Sequence, residues 1–204
     1  MAKQMNEGKV APFIKEFYPE YYQWHEYPVE DCITIRKTTE TWGLLGNFAR
    51  TPLVVNGVTF DNSEQLFHMM KFTDADTLST LYKSKGRALK RIAQNRENNG
   101  LRRPDWGRII VDCMKFCLQT KYEQSESFRN TLEDTKGKII VEDQTKFPRK
   151  TADTWGVKQV GDQFIGSNLL GRLLMELRDN QRLKYVLPED MFRSISILTG
   201  KSNR

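Results

Sequence analysis

Leu53-Val-Val-Asn56-Gly57-Val-Thr-Phe60-Asp61-Asn62-Ser63-Glu64-Gln65-Leu66-Phe67-His68-Met69-Met70-Lys71-Phe72 changes its apolar period partway along. Over 53–60, apolar arms flank Asn56-Gly57, a pair suited to the positive-φ positions of a type I′ turn, so this half reads as a β-hairpin. From residue 61 the pattern becomes helical. Asp61 can cap the helix with Glu64 at the capping-box position, and Ser63 is a competing cap. The helix continues to about Phe72. Leu66, Met69 and Met70 fall on a side that enters the core, while Glu64, His68 and Lys71 share the other. At ~1.5 Å rise per residue, Glu64 and Lys71 lie ~10 Å apart along the axis. Taken alone, these three residues read as an ordinary solvated face.

N-terminal to this stretch, Cys32–Arg36 alternates as a short strand does. Before it, Phe17, Tyr18, Tyr21, Tyr22, Trp24 and Tyr27 form an aromatic run in which Pro19 and Pro28 rule out a long helix. That run reads as an irregular segment packed on the domain, with a stacking surface for a base as the alternative. Downstream, residues 76–96 hold one or two helices carrying Lys83, Lys85, Arg87, Lys90 and Arg91, ended by Asn98-Asn99-Gly100. Trp106, Ile110, Cys113, Met114 and Cys117 recur at helical spacing, which predicts a long amphipathic helix over 105–121. Another helix surrounds Phe128 and Leu132, and Lys138–Glu142 is a strand followed by a polar loop over 143–154. The last clear helix starts near Asn168, with a further short one over 188–198. Without regular βαβ alternation, the class is α+β: one mostly helical domain with a small sheet and hairpin component. It occupies residues 40–180, between extensions at 1–39 and 181–204.

With 38% hydrophobic residues, a core can form without disulfides or metal. The net charge of +6 favours an anionic partner, although the basic residues are dispersed. Three cysteines in no framework spacing read as reduced thiols, with Cys113 and Cys117 as core neighbours. With two histidines in the chain, no metal and no cofactor is expected. Met1–Phe13 has no apolar signal core and no later run approaches the ~18 apolar residues of a membrane span, so the expected compartment is the cytoplasm. No helix-turn-helix, RNA-recognition or zinc pattern supports a dedicated nucleic-acid-binding protein.

Several segments, in order, resemble one family: Gly46-Asn47-Phe48, Asn56–Phe60, Ser63–Phe72, Gly86-Arg87, Arg103-Pro-Asp105-Trp106, Trp155-Gly156 and Asn168-Leu-Leu-Gly171-Arg-Leu-Leu-Met175-Glu-Leu-Arg178. Together they resemble the NADAR, or YbiA-like, domain over roughly residues 40–180. The resemblance implies an N-glycosidase that cuts between an anomeric carbon and an exocyclic amine. One branch of the family acts on phosphoribosylamino-pyrimidine intermediates of riboflavin synthesis. Another removes ADP-ribose from guanine, in nucleic acid or nucleoside. A non-catalytic module that binds ADP-ribose or a nucleotide is the remaining alternative.

The resemblance implies that Lys71 attacks the anomeric carbon and that Glu64 shuttles protons, which the chemistry of an amine and a carboxylate permits. Glu64 also has a structural role open to it as a capping-box carboxylate. Asn47 and Phe48 match a pocket-lining segment. Arg87 and Arg103 are candidates for phosphate, with an Arg103–Asp105 pair as the alternative. Trp155 and Gly156 offer an aromatic wall beside a close backbone approach. The family usually carries an aspartate three residues before this Trp; here Ala152 holds that place and Asp153 stands two before, as the substitute candidate. Asn168 can cap the last helix or present its N–H groups to an anion or ribose. Gly171, inside a helix, predicts close packing against another element.

Overall fold

The computed structural model describes residues 11–193 and 195–199. Along the chain lie α1 (Pro12–Phe17), β1 (His25–Pro28), β2 (Cys32–Ile35), β3 (Leu53–Val55), β4 (Val58–Phe60), α2 (Ser63–Met69) and α3 (Ala75–Tyr82). These are followed by α4 (Gly86–Asn98), α5 (Trp106–Gln124), α6 (Glu126–Glu133), β5 (Ile139–Glu142), β6 (Lys158–Val160), β7 (Gln163–Gly166) and α7 (Leu169–Asn180). The class is α+β. Two units divide it, one of residues up to 46 with 130–182, the other of 47–129 with 183 onward.

In the first unit β2 pairs in parallel with β5, Cys32 opposite Ile139. A separate antiparallel sheet has the order β1-β7-β6. Val141, Val157 and Phe164 form a buried cluster, with Tyr27, Val29, Cys32 and Ile139 packed around it. The segment expected to be irregular therefore holds a helix and a strand. Pro12 starts α1 where its missing N–H costs nothing, and Pro28 is tolerated because β1 is an edge strand. The β6–β7 hairpin was not anticipated either. It turns at Gly161-Asp162, with Gly161 at φ 63°, a Gly-X signal set between strands too short and polar to show alternation.

The helix α7 packs on β5, and the glycine within it is required. A Cβ on Gly171 would lie 2.1 Å from the Ile140 carbonyl oxygen. Asn168 does not cap α7 with its side chain, contrary to the sequence expectation. Its backbone is left-handed, at φ 51°. Its amide instead brackets β5, donating to the Ile140 carbonyl at 2.8 Å and accepting from the Glu142 N–H at 3.1 Å. These bonds satisfy a fully buried amide, which would otherwise be costly.

The second unit contains the hairpin, with Leu53 opposite Phe60 and both Asn56 and Gly57 at positive φ. Every residue of α2 is buried, with β4, α3, α4 and α5 packed around it. Its cap is Asn62, rather than Asp61 or Ser63: the Asn62 side chain accepts from the Gln65 N–H at 2.9 Å. The Gln65 side chain accepts in turn from the Asp61 N–H at 2.8 Å. That reciprocal pair performs the capping-box task one residue later than expected and leaves Glu64 out of it. In α5, Trp106, Ile110, Cys113, Met114 and Cys117 are buried as the spacing predicted. The two cysteines are free thiols pushed upward by burial, as for inert core residues. Among the described residues, no helix is long and apolar enough to cross a membrane.

Lys121 is fully buried on α5, its Nζ 4.5 Å from the centroid of the Phe128 ring. Burial lowers its ammonium from 10.5 to about 7. Across that window the unfolded chain holds a proton that the folded chain lacks, so stability rises with pH and is lost as pH falls toward 7. Urea unfolding of wild type should show this climb between pH 7 and 10, and Lys121→Met should flatten it. Gly171→Ala should cost about 2–3 kcal/mol through overpacking against β5, read as a Tm lowered by roughly 5–10 °C.

Candidate active site

The polar side of α2 is enclosed rather than solvated. Glu64, His68 and Lys71 are 7%, 4% and 9% exposed. The loop before the hairpin fixes the start of the helix: the Asn47 carbonyl accepts the Glu64 N–H at 3.0 Å, and Asn47 Oδ1 accepts from Ser63 Oγ at 3.0 Å. Glu64 Oε1 lies 3.0 Å from His68 Nε2 and 3.7 Å from Lys90 Nζ. Lys90 Nζ also stands 5.5 Å from the centroid of the half-buried Phe48 ring. Burial alone would raise the Glu64 carboxyl, but the His68 hydrogen bond and the nearby Lys90 and Lys71 charges hold it below its ordinary value. Burial pushes the His68 imidazole down against the pull of Glu64. The ring is therefore neutral, its Nε2–H donating to the carboxylate, and its buried Nδ1 has no hydrogen-bond partner among the described residues.

Lys71 sits just beyond the end of α2, in a turn where its N–H donates to the His68 carbonyl at 3.3 Å. Its carbonyl accepts the Arg103 N–H at 2.9 Å, which ties this turn to the start of α5. Lys71 Nζ lies 2.6 Å from Glu97 Oε1, and 5.5 Å and 5.6 Å from the centroids of the Phe67 and Trp106 rings. Glu97 Oε2 is in turn 3.8 Å from Arg102 Nη1. Burial lowers the Lys71 ammonium, and the Glu97 carboxylate opposes that shift without cancelling it. The result is a recessed amine that loses its proton more readily than a surface lysine, between aromatic walls and with a carboxylate in contact.

The NADAR domain model matches residues 21–182, most of the chain. The chain belongs to the NADAR family. It is 30% identical over 151 residues to N-glycosidase YbiA of Shigella boydii serotype 4 (strain Sb227), covering 74% of this chain and 88% of that one. The Escherichia coli (strain K12) N-glycosidase YbiA is also 30% identical, over 150 residues. A riboflavin biosynthesis protein of Vibrio vulnificus (strain YJ016) is 27% identical over 151 residues, which are 39% of its length. The NMR structure of E. coli YbiA superposes with a TM-score of 0.60 at 25% identity, covering 85% of this chain and 89% of that one.

Most of the other residues that the NADAR pattern singles out have their own partners. Arg103 forks onto Asp105 at 2.6 and 2.9 Å and also reaches Asp190 at 3.2 Å, so both edges of its guanidinium meet carboxylates. Arg87 is exposed near the start of α4, about one turn before Lys90. Asp153, Trp155, Gly156 and Asn168 belong to the first unit. The Asp153 carboxylate accepts from Gln144 Nε2 at 2.7 Å, from the Trp155 N–H at 3.0 Å and from Arg149 at 3.2 Å, which builds the turn before the half-buried Trp155. The backbone that approaches Gly156 is the chain's own: a Cβ there would lie 2.4 Å from the Glu142 carbonyl oxygen.

Sequence reading did not assign His68, Lys90 or Glu97. His68 stood in view on the α2 stripe, but period alone does not tell a buried polar face from a wet one. Glu97 left one trace, as the only acidic residue between Asp76 and Asp105 in a strongly basic run. Replacing His68 by Ala should make the Glu64 carboxyl titrate at higher pH, because its main hydrogen-bond donor is gone. Carbon-13 NMR of the glutamate carboxyl carbons would read the shift, and His68→Gln, which keeps an N–H donor, should reverse part of it.

Proposed function

We propose that this chain is an N-glycosidase that hydrolyses the C–N bond between a phosphorylated ribose and an exocyclic amine of a base. The observation that carries this reading is the buried pairing of functions along α2 and the turn that follows it: an ionised carboxylate at Glu64 and, at Lys71, a lysine whose charge is destabilised by burial. An amine that readily loses its proton is a nucleophile for an electrophilic carbon. The neutral Lys71 amine bonds C1′, and the C1′–N bond to the base breaks with its electron pair going to the leaving nitrogen. The proton that the Lys71 nitrogen loses ends on that leaving nitrogen, accepted and handed on by Glu64. The resulting lysine adduct opens to an imine. Water, deprotonated by Glu64, adds to C1′ and releases the sugar phosphate and the free lysine. Phe48 supplies a face on which the base can stack, and the exposed Lys90 and Arg87 are placed to meet phosphate.

A phosphoribosylamino-pyrimidine of the riboflavin pathway is the substrate class we favour, in keeping with the name of the Vibrio relative. ADP-ribosylated guanine is the second reading. The run of exposed cations along α4 (Arg87, Lys90 and Arg91) favours it, since a diphosphate needs more than one. Borohydride trapping with intact-mass analysis decides between them. A sugar-phosphate adduct should form on wild type and not on Lys71→Ala, with the substrate that gives it naming the branch. Glu64→Gln should slow base release by ~10²–10⁴-fold. Base release without any adduct would replace the lysine by direct attack of water. Neither adduct nor released base would leave the chain a nucleotide-binding module.

A further inference from the structure

Glu97 has no part in the Glu64–Lys71 scheme, yet it is the carboxylate that touches the reacting nitrogen. It stands in the last turn of α4 with its side chain 15% exposed, and Oε1 lies 2.6 Å from Lys71 Nζ. Its other oxygen faces Arg102 at 3.8 Å. The rings of Phe67 and Trp106 flank the amine in other directions. Glu64 is placed differently, with Oε1 engaged by His68 and Lys90. The site thus has two carboxylates, one at each end of the α2 stripe, and only one of them is bonded to the lysine.

The chemistry leaves a task for a carboxyl in that position. Once the lysine nitrogen is bonded to C1′, it shares that carbon with the ring oxygen O4′. Forming the imine requires the nitrogen lone pair to expel O4′, which must gain a proton as the C1′–O4′ bond breaks. Two atoms on one carbon lie within a hydrogen-bond length of each other. A carboxyl in contact with the nitrogen therefore reaches the oxygen as well, with little movement.

Resting on the lysine-imine reading above, we propose that Glu97 takes a proton from the Lys71 ammonium and returns it to the ring oxygen as the sugar opens. Glu97 is then the acid–base group of imine formation, and Glu64 serves the leaving amine and the water. The protons balance. In the resting protein an ammonium faces a carboxylate. Transfer gives a neutral amine beside a carboxylic acid. After displacement of the base, the nitrogen pair forms C1′=N, the C1′–O4′ electrons go to O4′, and the Glu97 proton goes with them. The product is a cationic imine facing the Glu97 carboxylate, so the original ion pair is restored on the intermediate.

An ion pair that did no more than hold Lys71 would behave in the opposite way. It would keep the lysine charged, and its removal would speed attack. The test uses ribose 5-phosphate, whose furanose ring carries a C1′ hydroxyl in place of the base, so that the Lys71 adduct must still break C1′–O4′ before it becomes a reducible imine. Wild type, Glu97→Gln, Glu97→Asp and Lys71→Ala are incubated with ribose 5-phosphate and cyanoborohydride, and the Lys71 peptide is quantified by mass spectrometry. In parallel, acetic anhydride labelling over a pH series reads the ionisation of Lys71 without sugar. In Glu97→Gln, Lys71 should acetylate at lower pH than in wild type, because the carboxylate that stabilised its charge is gone. Trapping should nevertheless fall ~100-fold, the usual scale of a lost acid–base group. Glu97→Asp, which keeps a carboxyl, should recover part of the trapping. Equal or faster trapping in Glu97→Gln overturns the proposal, as does a wild type that gives no Lys71 adduct. A wild type that traps sugar in a Glu97-dependent way but releases no base from either class of substrate leaves Glu97 in its role and removes the glycosidase reading.

Discussion

Burial of α2 on every side is the constraint on which the rest of this site depends. A helix with one polar stripe ordinarily turns that stripe to water. Here β4, α3, α4 and α5 surround it, so Glu64, His68 and Lys71 must find partners inside the protein. Unpaired, the Glu64 and Lys71 charges would each bring a desolvation cost of several kcal/mol. The pairs Glu64–His68 and Lys71–Glu97 are how the sequence meets that cost. They also convert a surface-like stripe into a set of groups whose proton affinities are set by neighbours rather than by solvent.

The two pairs are not equivalent. His68 is neutral and donates one hydrogen bond, so Glu64 keeps its charge, supported from outside by Lys90. Glu97 and Lys71 are in contact, and the carboxylate opposes the burial that destabilises the lysine's charge. Burial loosens the proton on Lys71 while the Glu97 carboxylate stands 2.6 Å from it, whereas the proton between His68 and Glu64 is fixed by the tautomer. One end of the stripe is thus suited to hold charge and the other to move it. On the proposed scheme, a fixed carboxylate on α2 and a transferable proton just beyond its end would let two stages of the hydrolysis use different groups.

Much of the fold was legible because local chemistry carried it. Asn56-Gly57 specified the hairpin, the Trp106–Cys117 spacing specified α5, and Gly171 pointed to the close approach of α7 to β5. The misses have a physical cause in common. The strands β1, β6 and β7 are three or four residues long and partly polar, so they lack enough repeats to show a period of two, and only partners far away in sequence make them strands. The same holds at the site. Glu64 and Lys71 were singled out by one helix turn pattern and a family resemblance. Glu97 meets Lys71 across 26 positions, through a tertiary contact that no local spacing encodes. Burial of the α2 stripe depends likewise on elements that arrive later in the chain.

The cap of α2 shows how much rests on one residue of register. With Asp61 as cap, Glu64 would be the third helical residue, and its carboxylate would turn back to bond the cap's own N–H. With Asn62 as cap, that position passes to Gln65, whose amide does the work for the Asp61 N–H at 2.8 Å. Glu64 moves to the second position, its backbone N–H is taken by the Asn47 carbonyl, and its side chain is free to face His68 a turn away. A neutral amide therefore performs the structural task, and the carboxylate takes no part in the cap. The Asp-Asn-Ser run supports three caps on propensity alone. Asn47 selects among them, because its carbonyl and side chain accept from the Glu64 N–H and the Ser63 hydroxyl only when the helix begins after Asn62. The loop before the hairpin thereby sets the register of the helix after it, and with it the direction in which the Glu64 carboxylate points.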